Sequence, residues 1–163
     1  MEKLKGAKIV RLMSQLTKEY LKSNSSKGGV ELDYMSAERD MCWFVELLDN
    51  NPEVVALKNY HTGNYLAATA DGTQLILSDG LAEWIPLKVG SSHIKLKTRD
   101  GNFLQVDHYP HPRGPILTTV DNNFTALWAV DVIRQADCYS SLPTVSSTFT
   151  SVSFFFFISL VGK

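Results

Sequence analysis

Apolar residues recur along this chain in short alternating runs rather than at helical spacing. A pair of apolar residues separated by one position occurs as Val10/Leu12, Val55/Leu57 and Ile94/Leu96. An aromatic–Leu pair follows 7 or 8 residues later, as Tyr20-Leu21, Tyr65-Leu66 and Phe103-Leu104. A Trp comes 19 to 25 residues after each aromatic: Trp43, Trp84 and Trp128, spaced 41 and 44 residues apart. Alternation places every second residue on one face of a strand. Self-similarity at a fixed period marks a repeat architecture.

Each repeat divides into four strand-like runs bounded by turn residues. The first repeat predicts strands over 8–14, 20–24, 30–35 and 42–48. The second predicts 54–60, 65–69, 74–78 and 83–89, and the third 93–98, 103–107, 116–120 and 127–133. Twelve strands in three sets of four is the count of an all-β fold, the β-trefoil, with three pseudo-symmetric repeats. Thr62-Gly63-Asn64 and Asp100-Gly101-Asn102 supply turns that tolerate positive φ. Thr17-Lys18-Glu19 stands at the same place in the first repeat and is a poorer turn. The Leu, aromatic and Trp residues are expected to meet near a pseudo-threefold axis. Val45/Leu47 and Val130/Val132 continue the inward phase after Trp43 and Trp128. Trp84-Ile85-Pro86-Leu87 breaks this phase, and Pro86 cannot donate to a ladder, so an edge strand or a bulge is expected there.

The repeats end after Ile133. One domain is therefore expected over 1–135, with repeats over about 8–52, 53–92 and 93–135. Residues 136–163 do not conform. They hold ten Ser/Thr, two charged residues and the run Phe154–Ile158, and read as a disordered or loosely docked tail. That run falls short of the roughly 20 residues a membrane helix needs. Net charge is −1 over 163 residues, so no overall field favours nucleic acid or an anionic membrane. Charge is nonetheless uneven. Residues 1–27 carry seven Lys/Arg, and residues 31–53 carry seven acids. Two Cys, Cys42 and Cys138, and an N-terminus without an apolar signal region point to a cytoplasmic protein with free thiols.

The segments HIKLKTRDGNFL (residues 93–104) and VVALKNYHTGNYL (residues 54–66) resemble domain of unknown function 569, a plant family described as actin cross-linking-like or fascin-like. KIVRL (8–12) and LWAVDV (127–132) are similar to it as well, so the resemblance covers about residues 5–134. It implies a fascin-like β-trefoil and an actin-related role. It carries no catalytic residues.

His93, Lys95, Lys97 and Arg99 alternate with Ile94, Leu96 and Thr98, which puts basic groups on one face of a strand. Lys95, Lys97 and Arg99 are candidate contacts for an acidic protein partner, since clustered like charge steers encounter. His111 and Arg113, in the Pro-broken loop after His108, are candidates for a rigid recognition loop. No His, Cys or acid spacing nominates a metal site, and no cofactor is expected. Ser26-Lys27-Gly28-Gly29 is no phosphate cradle, and no Gly-x-Ser-x-Gly elbow occurs, so no enzymatic activity is expected. The leading expectation is a non-catalytic binding module whose partner is actin or another protein. A carbohydrate-binding, lectin-like trefoil is the alternative. The Gln-x-Trp of such lectins is missing before Trp43, Trp84 and Trp128, which counts against it.

Overall fold

A computed structural model describes residues 7–34, 39–48, 51–108 and 114–138, with the side chains of 51 and 52 left aside. It holds twelve strands: β1 (Ile9–Ser14), β2 (Tyr20–Asn24), β3 (Gly29–Asp33), β4 (Trp43–Leu48), β5 (Asn51–Asn59), β6 (Tyr65–Ala68), β7 (Leu75–Ser78), β8 (Ile85–Val89), β9 (His93–Lys97), β10 (Phe103–Asp107), β11 (Gly114–Thr118) and β12 (Trp128–Val132). All are paired antiparallel. Six of them close a ring. β1 pairs β4, β4 pairs β5, β8 pairs β9, β9 pairs β12 and β12 pairs β1, while the bridge between Val55 and Trp84 joins β5 to β8. The hairpins β2–β3, β6–β7 and β10–β11 hang from this barrel and pack on one another as its cap. This is the β-trefoil that the alternation predicts.

The repeat pattern has a simple mechanical basis. Trp43 lies opposite Val10, Trp84 opposite Val55 and Trp128 opposite Ile94, so each Trp lands on the first apolar residue of a repeat. All three rings are buried with Leu12, Leu21, Leu57, Leu66, Leu96 and Leu104 in one core. Each ring removes roughly 200 Å² from water, or about 5 kcal/mol of hydrophobic stabilisation.

Two expectations are corrected. Tyr20 and Tyr65 are only half-buried and stand outside that core. Neighbours on a strand face opposite ways, so each Leu points into the core while Tyr20 and Tyr65 point out; Phe103 is buried apart from that core, beneath Lys95 and Lys97. Likewise Leu47 and Val132 are exposed at 47% and 55%, although each stays paired with a barrel strand, opposite Val55 and Val10. The break at Pro86 is an edge effect. β8 keeps unbroken register with β9 from Ile85 to Val89, and on its other side makes only the Trp84–Val55 bridge.

The packed domain runs three residues past its expected end. A 3₁₀ turn, Gln135–Cys138, folds back on the barrel and buries Cys138 against Ile9 and Cys42. The Phe-rich run lies outside the described residues.

Candidate functional site

The turns between the first two strands of the repeats set the surface. Lys18, Gly63 and Gly101 sit at the same place, with φ of 64°, 72° and 96°. A polar side chain closes each turn from inside. Ser14 Oγ accepts from Thr17 N at 3.3 Å, and Thr98 Oγ1 accepts from Asn102 N at 3.1 Å. Asn59 does more: its Oδ1 accepts from Ser23 Oγ, His61 N and Thr62 N at 3.0–3.1 Å, and its Nδ2 donates to the Asp40 oxygen at 2.8 Å. A strand ending in a buried polar residue signals these anchors, and alternation alone passes over them.

The turn of the third repeat leans over the second and leaves a cleft of about 360 Å³ between Thr69, Leu81, Glu83, Trp84, Arg99 and Asp100. Leu81 is exposed and gives an apolar lip. The Arg99 Nε contacts Glu83 Oε2 across the cleft as an ion pair. Glu83 Oε2 is sealed from solvent beneath that contact. The Thr69 hydroxyl is committed: it donates to Asp71 at 2.5 Å and accepts from Gln74 N at 3.1 Å. Those hydroxyl and amide donors, Thr69 first and then Thr73, hold the exposed Asp71 carboxyl below the usual carboxylate range. The Trp84 ring offers no stacking platform, because it is buried and its Nε1 donates to the Leu66 oxygen at 2.8 Å.

The basic strand does not form an open ridge. Lys95 is 5% exposed, and its ammonium donates to Asp121 and Asn123. Its side chain folds down beside Phe103, whose ring centre lies 5.9 Å away, and Lys97 lies over the same ring at 5.5 Å. Burying a charge demands a partner, and Asp121 supplies it. Arg99 alone of the three reaches the cleft. His111 and Arg113 lie outside the described residues. Glu83 and Asp100, overlooked in the sequence, complete the polar wall. The signal was faint: an acid directly before a core Trp.

One further polar group mimics a catalytic arrangement. Ser92 Oγ lies 3.1 Å from His93 Nδ1, and His93 Nε2 lies 3.1 Å from Gln15 Oε1. The third member is a neutral amide and the serine is exposed beside its own histidine, so the set lacks the carboxylate that would hold an imidazolium. Among the described residues no three His, Cys, Asp or Glu gather as a metal site. Within the same residues no helix is long and apolar enough to cross a membrane.

A family model described as a β-trefoil domain of unknown function, DUF569, matches residues 1–125. The chain belongs to this family. The DUF569 match stops short of Trp128, although β12 is needed to close the barrel between β9 and β1. No curated protein matches the sequence. Solved structures similar to this DUF569 chain share its fold at low identity. A designed threefold-symmetric protein, ThreeFoil, superposes with a TM-score of 0.66 at 15% identity, covering 77% of this chain and 99% of its own. The Macrolepiota procera ricin B-like lectin, solved with lactose, gives 0.66 at 14%, covering 78% and 96%. SeviL, solved with asialo-GM1 saccharide, gives 0.66 at 12%, covering 78% and 99%.

Proposed function

We propose that this DUF569 domain is a non-catalytic binding module, and that the Glu83–Arg99 cleft takes a neutral, hydroxyl-rich ligand of the carbohydrate class. One observation carries this reading: an exposed guanidinium, ion-paired with a largely covered carboxylate, stands on the wall of the cleft beside an exposed leucine. Such a pair matches adjacent hydroxyls, one donating to Glu83 and one accepting from Arg99. Concave sites that combine an apolar wall with a few fixed polar groups are the usual form of small-ligand pockets. Similar structures include proteins solved with lactose and with a saccharide, which supports testing sugars first. An actin-binding role would need surface cations; of the basic strand, Lys95 is neutralised by Asp121 and Arg99 by Glu83. Buried cysteines not joined by a disulfide fit a cytoplasmic setting.

The test is a glycan array followed by titration calorimetry, with filament co-sedimentation in parallel. Binding of a glycan that is weakened at least tenfold by Glu83→Gln and by Arg99→Ala supports the proposal. Filament binding with no glycan binding would replace it with a protein-partner role.

A further inference from the structure

Cys42 and Cys138 are 96 residues apart in sequence, yet the fold packs them into one buried cluster. Both are fully buried, with Ile9, in a small apolar cluster flanked by Phe44, Tyr60 and Ile133. Backbone bonds fix Cys42 directly and hold the segment that leads to Cys138. Cys42 N donates to the Arg39 oxygen at 3.0 Å, and the Cys42 oxygen accepts from Tyr60 N at 2.8 Å. On the other side, Ile133 N donates to the Ile9 oxygen at 3.0 Å, Asp137 N to the Arg134 oxygen at 2.9 Å, and Arg11 Nη2 to the Asp137 oxygen at 3.4 Å. The cluster thus joins the first repeat to the turn that ends the domain. Neither thiol lines the cleft.

We propose that Cys42 and Cys138 form a redox-modification site, in which a small hydroperoxide converts the two thiols into an intramolecular disulfide that fastens residue 138 to the barrel. The chemistry balances with hydrogen peroxide as oxidant. One thiol, as its thiolate, attacks a peroxide oxygen; the O–O bond breaks, and a sulfenic acid and water result. The second sulfur then attacks the sulfenic sulfur; the S–S bond forms, and the hydroxyl leaves as a second water carrying the second thiol's proton. Two thiols are oxidised, and one peroxide is reduced to two waters. A dithiol reductant reverses the step by thiol–disulfide exchange.

The surroundings make this a slow, gated site. Burial first, and then the hydrogen bond with Cys42, push the Cys138 thiol up to about 12, so reactive thiolate is scarce at neutral pH. The gate is the single turn Gln135–Cys138, whose Arg134–Asp137 ion pair at 3.1 Å is solvent-exposed and weak. Opening that turn admits the oxidant without unfolding the barrel. Once formed, the bond closes a loop of about 100 residues and raises the melting temperature by on the order of 10 °C.

The experiment treats the full chain with hydrogen peroxide at neutral pH, then measures intact mass, non-reducing peptide maps and melting temperature. The expected result is a monomer two hydrogens lighter, a single peptide pair joined through 42 and 138, and a raised melting temperature that reductant reverses. Cys138→Ala is expected to abolish both the mass loss and the rise. Cys42→Ala serves as a second control, since each variant keeps one buried thiol. Oxygen adducts without a cross-link, disulfide dimers, no change after prolonged exposure, or a cross-link that leaves the melting temperature unmoved would each overturn the proposal.

Discussion

The Trp84 indole donates from Nε1 to the main-chain oxygen of Leu66 at 2.8 Å, 18 residues back along the chain. The same bond runs from Trp43 to Leu21 and from Trp128 to Leu104, at 3.0 Å each. Each repeat therefore ties its last strand to its second strand through one indole. The bond also satisfies a polar N–H that would otherwise be stranded in the core.

Truncating an indole should remove ring and hydrogen bond together. Trp128→Ala is expected to cost about 3–5 kcal/mol as a core truncation. Trp128→Phe, which keeps an aromatic but strands the Leu104 oxygen, is expected to cost about 1–3 kcal/mol. Urea titration with equal m-values checks both. A loss near zero for the alanine variant would place the ring at the surface.

Lys18 holds a left-handed backbone that Gly63 and Gly101 adopt freely. A Cβ there costs roughly 1–2 kcal/mol, partly offset by the unfolded-state entropy of glycine. Lys18→Gly is accordingly expected to stabilise by about 0.5–1 kcal/mol, and Gly63→Ala to destabilise by about 1 kcal/mol. Thermal unfolding of the two variants should move in opposite directions.

Much of this was legible in the sequence. The alternation around Val10/Leu12, Val55/Leu57 and Ile94/Leu96 marked inward strands, and the Trp period gave the three repeats and the trefoil. The site was far less legible. Lys95 read as an outward cation because alternation cannot see Asp121, which approaches from the loop before β12 and draws the ammonium under cover. Glu83 and Arg99 are 16 residues apart and belong to different repeats, so only the fold brings them together. Cys138 read as tail because the repeat ends at Ile133; its burial depends on a turn folding back, which no periodicity encodes.

Tyr20 Oη donates to Asp131 at 2.8 Å, and Tyr65 Oη donates to Glu46 at 2.9 Å. Both acids lie three residues after a Trp. In the remaining set Phe103 lacks the hydroxyl and Leu87 lacks the carboxylate, so donor and acceptor are missing together. Tyr20→Phe is expected to cost about 1 kcal/mol, and Phe103→Tyr to gain nothing. Chemical denaturation of the two variants tests the asymmetry.

Alkaline pH should weaken the fold through two groups. Burial and then the Asp131 hydrogen bond raise the Tyr20 pKa from 10.0, and burial raises Cys138 from 9.0 to about 12. A raised folded-state pKa contributes stability that is complete below the unfolded value and is lost as pH climbs through the folded one. Stability from Cys138 is therefore present below pH 9 and lost towards pH 12, and that from Tyr20 is lost above pH 10. Cys138→Ala should flatten the decline that begins near pH 9. A decline of unchanged slope and onset in that variant would exclude the Cys138 contribution.

Hydrogen exchange of the three indole Nε1–H protons, followed by NMR on the native domain, is the most direct measure of the central claim that the Trp residues are internal ties rather than ligand platforms. Exchange at the rate of global unfolding, slowed together for Trp43, Trp84 and Trp128, is the predicted result. Exchange of any one of them near the free-indole rate would contradict it and return that ring to the surface.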